Sequence, residues 1–130
     1  MTIRFTIIGN QENPTGNPIP YFRTTQRGKF GSKYKRYQEW KDHVRAAMEP
    51  EIPITYPERN ATLALFDGEP RAHVLAVIWF GAETHADPDN IIKGILDSLF
   101  TNDSHVDVET RHFCHSMAPR VVVTINFHAP

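Results

Sequence analysis

The most regular hydrophobic pattern in the chain is a stripe of apolar residues that follows a cluster of aspartates. Its members recur every three to four positions, which is the spacing of one face of an α-helix. Asp87 suits the N-cap position, and Pro88 suits the first helical position because its φ is already helical. We therefore predict a helix over residues 88 to 100. The stripe consists of Ile91, Ile92, Ile95, Leu96, Leu99 and Phe100.

A second helix is predicted over residues 33 to 48, with Ser32 as a candidate N-cap. Segments that are rich in β-branched residues, or that alternate polar and apolar positions, predict five strands. They cover residues 2–8, 60–66, 72–80, 105–112 and 120–127. The second and third segments flank a short loop, so we expect them to form an antiparallel hairpin. The third is apolar enough to be a central strand.

This order of elements, β-α-β-β-α-β-β, predicts an α+β fold with a mixed β-sheet and two main helices packed mainly on one face. The chain has 130 residues, 40% hydrophobic and 22% charged, which suits a single domain over residues 1–130. A single cysteine excludes an internal disulfide framework and favours a reducing compartment. We find no signal-peptide pattern and no apolar run of membrane-spanning length, so we expect a cytoplasmic protein without membrane contact.

Charge is unevenly distributed along the chain, although the formal net charge is only −1. Between positions 23 and 45, eight basic residues are opposed by two acidic ones, which gives a net charge of +6. The remaining positions hold six basic and thirteen acidic residues, a net charge of −7. A basic arm and first helix, at about 21–48, on an acidic body predict a phosphate-binding surface. The expected DNA-backbone contacts are Arg23, Arg27, Lys29, Lys33 and Lys35.

Six aromatic residues are interleaved with this basic segment. Aromatic rings among cationic side chains can stack on unpaired bases. Those inside the predicted helix recur at helical spacing, which more often places aromatic residues in a core. The six are Tyr21, Phe22 and Phe30 before the helix, and Tyr34, Tyr37 and Trp40 within it.

The acidic block at about 85–105 holds the candidate chemistry. Asp87 precedes the predicted helix and Asp89 lies in its first turn. Lys93 lies one turn further on, and Asp103 follows the helix in a turn. Converging carboxylates repel each other unless a cation lies between them, and Mg²⁺ held by a few carboxylates usually acts on phosphates. Asp103 can join this group only if the strand after it runs alongside the strand before Asp87.

The same spacing is compatible with a purely structural role. Asp87 would then only cap the helix, and Asp103 would be an ordinary turn residue. Asp89 and Lys93 would form a surface ion pair worth a few tenths of a kcal/mol. The spacing alone leaves both interpretations open.

Two other kinds of site are disfavoured. A zinc site at His112, Cys114 and His115 lacks a Cys-x-x-Cys pair, and a strand would point these side chains to different faces. No glycine-rich segment has the spacing of a phosphate-binding loop, so we expect no nucleotide cofactor.

The acidic block resembles a known family motif. The segment Asp-Pro-Asp-Asn-Ile-Ile-Lys from Asp87 to Lys93, then Leu96-Asp97, then Asn102-Asp103-Ser104-His105-Val106, resembles the RusA-type endodeoxyribonucleases. These are Holliday junction resolvases of bacteria and their prophages. Pro18 and Pro20 followed by Arg23 resemble the proline-rich, arginine-bearing N-terminal segment of that family.

The resemblance implies a function and a site. It implies a Mg²⁺-dependent endodeoxyribonuclease that resolves four-way junctions by paired phosphodiester hydrolysis, in DNA recombination and repair. Asp87, Asp89 and Asp103 would bind one or two Mg²⁺ ions, with Mn²⁺ as a substitute, and Lys93 would be the essential lysine. The protein would act on branched DNA as a homodimer. Asp97 is expected to be structural.

The chain departs from the family pattern at Asn102, where the family usually has an acid. Two other functions stay open. One is a non-catalytic DNA-binding accessory module, in which the acidic block is only a capped helix. The other is a nuclease for flaps or other branched DNA that uses the same site.

Overall fold

The computed structural model describes residues 1–23, 31–51, 66–82 and 84–128. Its four strands are β1 (Thr2–Ile8), β2 (Ala72–Trp79), β3 (Val106–Phe113) and β4 (Arg120–Phe127). Its two α-helices are α1 (Ser32–Met48) and α2 (Pro88–Leu99), and a short 3-10 turn, Glu49–Glu51, follows α1. The predicted α+β class, with two helices and one mixed sheet, is confirmed.

The four strands form one sheet in the order β1-β4-β2-β3. The last strand, β4, lies between β1 and β2 and pairs with both of them antiparallel. The β2–β3 pair is parallel, which makes the sheet mixed. The strand predicted to be central, β2, has a neighbour on each side.

The core lies between one face of the sheet and the two helices. Alternate residues of β1, β2 and β4 are buried on that face, as the period-two pattern requires. From α1, Trp40 and Val44 are fully buried, and from α2, Ile91 and Ile95 are fully buried. The two helices contact each other over the sheet, so their apolar stripes and the sheet face form a single cluster.

The β2-α2-β3 segment is a crossover between parallel strands, which sets the direction of α2. A helix that links two parallel strands must return along the sheet, antiparallel to both. The N-terminus of α2 therefore lies at the carboxyl end of β2, and its C-terminus lies near the start of β3. This arrangement determines where the acidic residues lie.

The structure differs from the predicted elements at the start of α1 and at the partner of β2. Gly31, not Ser32, is the N-cap of α1, and it gives no side-chain capping hydrogen bond. Residues 60–65 of the predicted second strand lie outside the described residues. The predicted hairpin of this segment with β2 is nevertheless wrong, because β3 and β4 pair with β2 on both sides along its whole length. The last residue of that segment, Phe66, forms an isolated parallel bridge with Phe100. Among the described helices, none is long and apolar enough to cross a membrane.

Candidate active site

Two of the predicted site residues meet at the N-terminus of α2. Asp87 is the N-cap, and its Oδ1 accepts a hydrogen bond of 2.9 Å from the Asp89 amide. The Asp87 carbonyl accepts bonds from the amides of Asn90 and Ile91, at 3.0 and 3.1 Å. Both carboxylates are exposed. The helix dipole favours negative charge at this position, so the site holds two carboxylates, one at the N-cap and one in the first turn.

The N-terminal segment crosses the first turns of α2 and fixes its position. The Tyr21 amide donates a 2.9 Å hydrogen bond to the carbonyl of Asn90. Gly94 allows the close approach, because a Cβ there would lie 3.3 Å from the Tyr21 nitrogen. Pro18 and Ile19 are buried, which anchors the segment to the body of the protein. Tyr21 therefore lies against the first turns of α2, the part of the helix that carries the acidic pair.

Lys93 contacts an aromatic ring from this segment. Its Nζ lies 4.4 Å from the centroid of the Tyr21 ring, within the range of a cation–π contact. Among the described residues, Lys93 forms no ion pair with Asp89, although the helical spacing permits one. The ammonium group is exposed one turn below the two carboxylates, held by Tyr21.

Asp97 links the two helices instead of joining the acidic pair. The Tyr37 hydroxyl donates a 2.6 Å hydrogen bond to Asp97 Oδ2, and Lys41 Nζ lies 3.3 Å from the same oxygen. Burial raises the pKa of Tyr37 above its ordinary value, and the hydrogen bond to Asp97 and the charge of that carboxylate raise it further. Asp97 therefore has the structural role expected of it.

Asp103 lies at the other end of α2. Ala72 pairs with Val106 and Trp79 pairs with Phe113, so β2 and β3 begin at the same end of the sheet. Asp103 lies just before that end. The acidic pair lies at the opposite end of these strands. The 12 residues of α2 separate the two positions by about 18 Å along the helix axis.

A single chain therefore does not bring the three aspartates together. Asp103 could join the other two acids only if the strand after it ran alongside the strand before Asp87, and β3 does run alongside β2. This condition is not sufficient, because Asp87 and Asp103 lie at opposite ends of α2 and therefore at opposite ends of the two strands. Within the described ranges, no group of three His, Cys, Asp or Glu side chains is arranged to hold a metal ion.

The candidate DNA-contacting residues that are described lie in the N-terminal segment and at the start of α1. Arg23 is exposed two residues after Tyr21, and Lys33 and Lys35 are exposed in the first turns of α1. Arg27 and Lys29 lie outside the described residues. A groove of about 280 Å³ separates the segment from α1. It is lined by Ile19, Pro20, Tyr21, Phe22, Lys33, Arg36 and Tyr37.

The cations around this groove are not all equally available to a ligand. Arg36 Nε lies 2.6 Å from Glu12 Oε1, so its charge is partly neutralised. Among the described residues, Lys33 and Lys35 have no acidic partner. The first turn of α1 has no acidic residue, and its N-cap gives no side-chain bond. The start of α1 is therefore a positive region close to the aromatic segment.

A family model described as Endodeoxyribonuclease RusA matches residues 12–126. The chain belongs to the RusA endodeoxyribonuclease family. The match includes the N-terminal segment, both helices and the acidic block, so it spans every element of the site. A comparison with curated proteins finds no match. Members of this family are endodeoxyribonucleases, which are hydrolases of phosphodiester bonds in DNA.

The donor atoms at the N-terminus of α2 suit a hard divalent cation of the kind that RusA-type nucleases use. Asp87 Oδ1 is engaged with the Asp89 amide, which leaves three carboxylate oxygens for a ligand. No cationic side chain neutralises these two acids among the described residues. Mg²⁺ is commonly held by one or two carboxylates together with water and phosphate. The pair therefore fits part of a magnesium site.

A ring cluster beside this RusA acidic pair was missed from the sequence. The His85 ring stacks on Phe80, with centroids 3.7 Å apart, and His112 lies 5.8 Å from His85. His85 Nδ1 lies 2.7 Å from the Ala86 carbonyl, so that nitrogen is the donor. His112 had been considered with Cys114 as a zinc ligand, whereas its ring contacts are with His85 and Phe80. The sequence signal for this ring cluster is the position of His85, two residues before Asp87.

Asn102, which stands where the family usually has an acid, makes local contacts. Its Oδ1 accepts a 3.0 Å bond from the Ser104 amide, and its Nδ2 lies 3.4 Å from Glu69 Oε1. The Val106 amide donates a 3.0 Å bond to the Asp103 carbonyl. Asn102 therefore stabilises the turn that presents Asp103, whose carboxylate is exposed.

Proposed function

We propose that this protein is a Mg²⁺-dependent endonuclease that resolves four-way DNA junctions during recombination and repair. The observation that carries the proposal is the pair Asp87 and Asp89 at the N-terminus of α2, with Lys93 one turn away. The pair lies in a chain that matches the RusA family over residues 12–126. Paired carboxylates beside an exposed amine and a basic groove are suited to a phosphodiester substrate.

Each side chain of the site has a distinct part in this proposal. Asp87 and Asp89 would hold the cation with their three available oxygens. A bound Mg²⁺ would lower the pKa of a water and stabilise negative charge on the phosphate. Lys93 would donate a hydrogen bond to a non-bridging phosphate oxygen, and the Tyr21 ring would keep its ammonium group near the acids. The basic groove would hold the DNA backbone on either side.

A second copy of the chain would supply the third carboxylate. Asp103 lies about 18 Å from the acidic pair along α2, which is further than any aspartate side chain can reach. The resemblance implies that Asp87, Asp89 and Asp103 act together. A homodimer reconciles the two, because two-fold symmetry can place Asp103 of each copy against the acidic pair of the other. Two such sites would cut two opposed strands.

A substrate panel tests the proposed function. Synthetic four-way, flap and linear duplex DNA are incubated with the protein, with and without Mg²⁺. We expect cleavage of the four-way junction alone, and only with Mg²⁺. Preferential cleavage of the flap would support the branched-DNA alternative, and binding without any cleavage would support the accessory-module alternative.

Substitution of one carboxylate tests the site. We expect Asp89→Asn to abolish cleavage of the four-way junction and to leave binding largely intact, because the amide keeps the size of the side chain. Asp42→Asn, on the exposed surface of α1, is the matched control and should cleave normally. Cleavage at the wild-type rate by Asp89→Asn would exclude Asp89 from the chemistry.

A further inference from the structure

We propose that Phe113 is a stacking surface for the base pair at the branch point of the DNA, and that it distinguishes branched DNA from linear DNA. This inference rests on the proposed function, because it takes a DNA junction as the substrate. The side chains that support it lie on the face of the sheet opposite the two described helices. They are separate from the acidic pair and its chemistry.

Three planar side chains form a row across this open face of the sheet. In β2, the residues that alternate with the buried ones are only partly covered, and the last of them is Trp79. Trp79 pairs with Arg120 of β4 on one side and with Phe113 of β3 on the other. Cross-strand partners point to the same face of a sheet, so the three side chains lie next to one another.

The planar groups of this row are stacked. The guanidinium carbon of Arg120 lies 4.1 Å from the centroid of the Trp79 ring, within the range of a cation–π contact. The rings of Trp79 and Phe113 are stacked, with centroids 5.7 Å apart and an interplanar angle of 23°. Arg120 Nη1 donates a 2.9 Å hydrogen bond to the Ala118 carbonyl, which fixes the guanidinium group. The row is therefore a stack in which each group supports the next.

The stack is open at Phe113. Trp79 has Arg120 on one side and Phe113 on the other, whereas Phe113 belongs to an edge strand of the described sheet. The Phe113 side of the stack is accessible, because this residue is 52% exposed. Phenylalanine is usually buried in a folded protein. The face of the Phe113 ring that points away from Trp79 can therefore accept one more planar group.

The charges around the stack favour a nucleic acid over an apolar protein partner. Arg120 is part of the stack, and Arg111 lies two residues before Phe113 on the same face of β3. The acids of that face of β3, Glu109 and Asp107, lie further from the stack, and Glu109 pairs with Arg111 at 3.1 Å. Charged residues are depleted in the centre of protein–protein interfaces. Cations beside an exposed aromatic ring are suited to phosphates and bases.

The stack lies at the same end of the sheet as the acidic pair. The Phe80 amide donates a 2.8 Å hydrogen bond to the Phe113 carbonyl. The ring of Phe80 stacks on that of His85, which precedes Asp87 by two residues. A DNA strand that crosses this end of the sheet would therefore contact both the acidic pair and the stack.

A branch point supplies the planar group that the stack can accept. Inside a linear duplex, every base pair has a neighbouring pair on both of its faces. A base pair at a branch point can lose the neighbour on one face, which leaves that face open to an aromatic ring. Stacking on a ring is tolerant of sequence, because every base has a π-face. Phe113 would therefore recognise the branch, while the basic groove would hold the phosphates of the arms.

Removal of the ring tests the stack without cleavage. The binding of a synthetic four-way junction, and of a linear duplex with the sequence of one arm pair, is measured by fluorescence anisotropy without Mg²⁺. We expect Phe113→Leu to weaken junction binding about tenfold and to leave duplex binding unchanged, because one base–aromatic stack is lost. Phe113→Tyr keeps a ring and should bind the junction as the wild type does. The matched control is Ile8→Ala, which removes a 60% exposed apolar side chain from the opposite edge of the same face and should change neither affinity.

A fluorescent base at the branch point gives a second readout. The adenine analogue 2-aminopurine, whose fluorescence falls when it stacks on a ring, replaces one base beside the crossover. We expect a change in its fluorescence on binding of the wild type and of Phe113→Tyr, and a smaller change with Phe113→Leu. The same analogue in the middle of an arm should not distinguish the three proteins.

Three results would overturn the proposal. The first is unchanged junction binding by Phe113→Leu, and the second is an equal loss of junction and duplex binding. The third is a change in the mass of this variant in solution, measured by light scattering, which would show that the ring contacts a second copy of the chain. A protein that binds junctions through Phe113 but never cleaves them would contradict the proposed function and leave these measurements unchanged.

Discussion

A mixture of two inactive variants should recover cleavage if the acids come from two copies of the chain. The variants are Asp89→Asn and Asp103→Asn, and each should be inactive alone because each removes a ligand from both sites of its homodimer. In a mixed dimer, one site receives both substitutions and the other receives neither. One intact site therefore forms in every mixed dimer.

The expected recovery follows from the length of α2 and from random assortment. The helix separates Asp103 from the acidic pair by about 18 Å, so no side-chain rotation can assemble the site within one chain. Equal amounts of two variants that exchange freely give about half mixed dimers, each with one site of two intact. We expect about a quarter of the wild-type number of sites, a loss that is small beside complete inactivation.

The assay separates one cut from two. A labelled four-way junction is incubated with Mg²⁺ and each variant alone, then with the mixture after partial unfolding and refolding together. The mixed dimers should nick one strand without releasing the paired product. Affinity tags of two kinds confirm that mixed dimers are present. If they are present and no nick appears, the acids act within one chain and the reasoning from α2 is wrong.

Two further predictions concern the DNA surface and the helix pair. Lys33→Ala combined with Lys35→Ala should weaken junction binding and reduce the magnitude of the slope of log affinity against log salt by about two. Fluorescence anisotropy across a salt series measures this slope. An unchanged slope would show that the two lysines do not contact phosphates. Tyr37→Phe should lower the free energy of unfolding by about 1–3 kcal/mol near neutral pH, because Asp97 loses its hydroxyl donor. The folded-state pKa of Tyr37 is raised above its unfolded value of 10.0, so the wild type should lose stability as the pH rises above that value, and denaturant titrations should show that Tyr37→Phe loses less.

The elements of the fold were predictable where local patterns decide them. The cap and apolar stripe of α2 lie in consecutive residues, so its start at Pro88 and its buried face agree with the structure. The apolar run of β2 likewise indicated a strand with neighbours on both sides. The cap of α1 was not predictable in the same way, because glycine and serine can both precede a helix, and Gly31 holds the N-cap position without a side chain to form a capping bond.

The arrangement of the site depended on contacts between distant residues. Nothing in the local pattern places the Tyr21 ring on Lys93, or the His85 ring on Phe80. The separation of Asp103 from Asp87 was accessible in principle. A helix between two parallel strands must run back along them, so residues at its two ends lie at opposite ends of those strands. The sequence did not show that β2 and β3 are parallel.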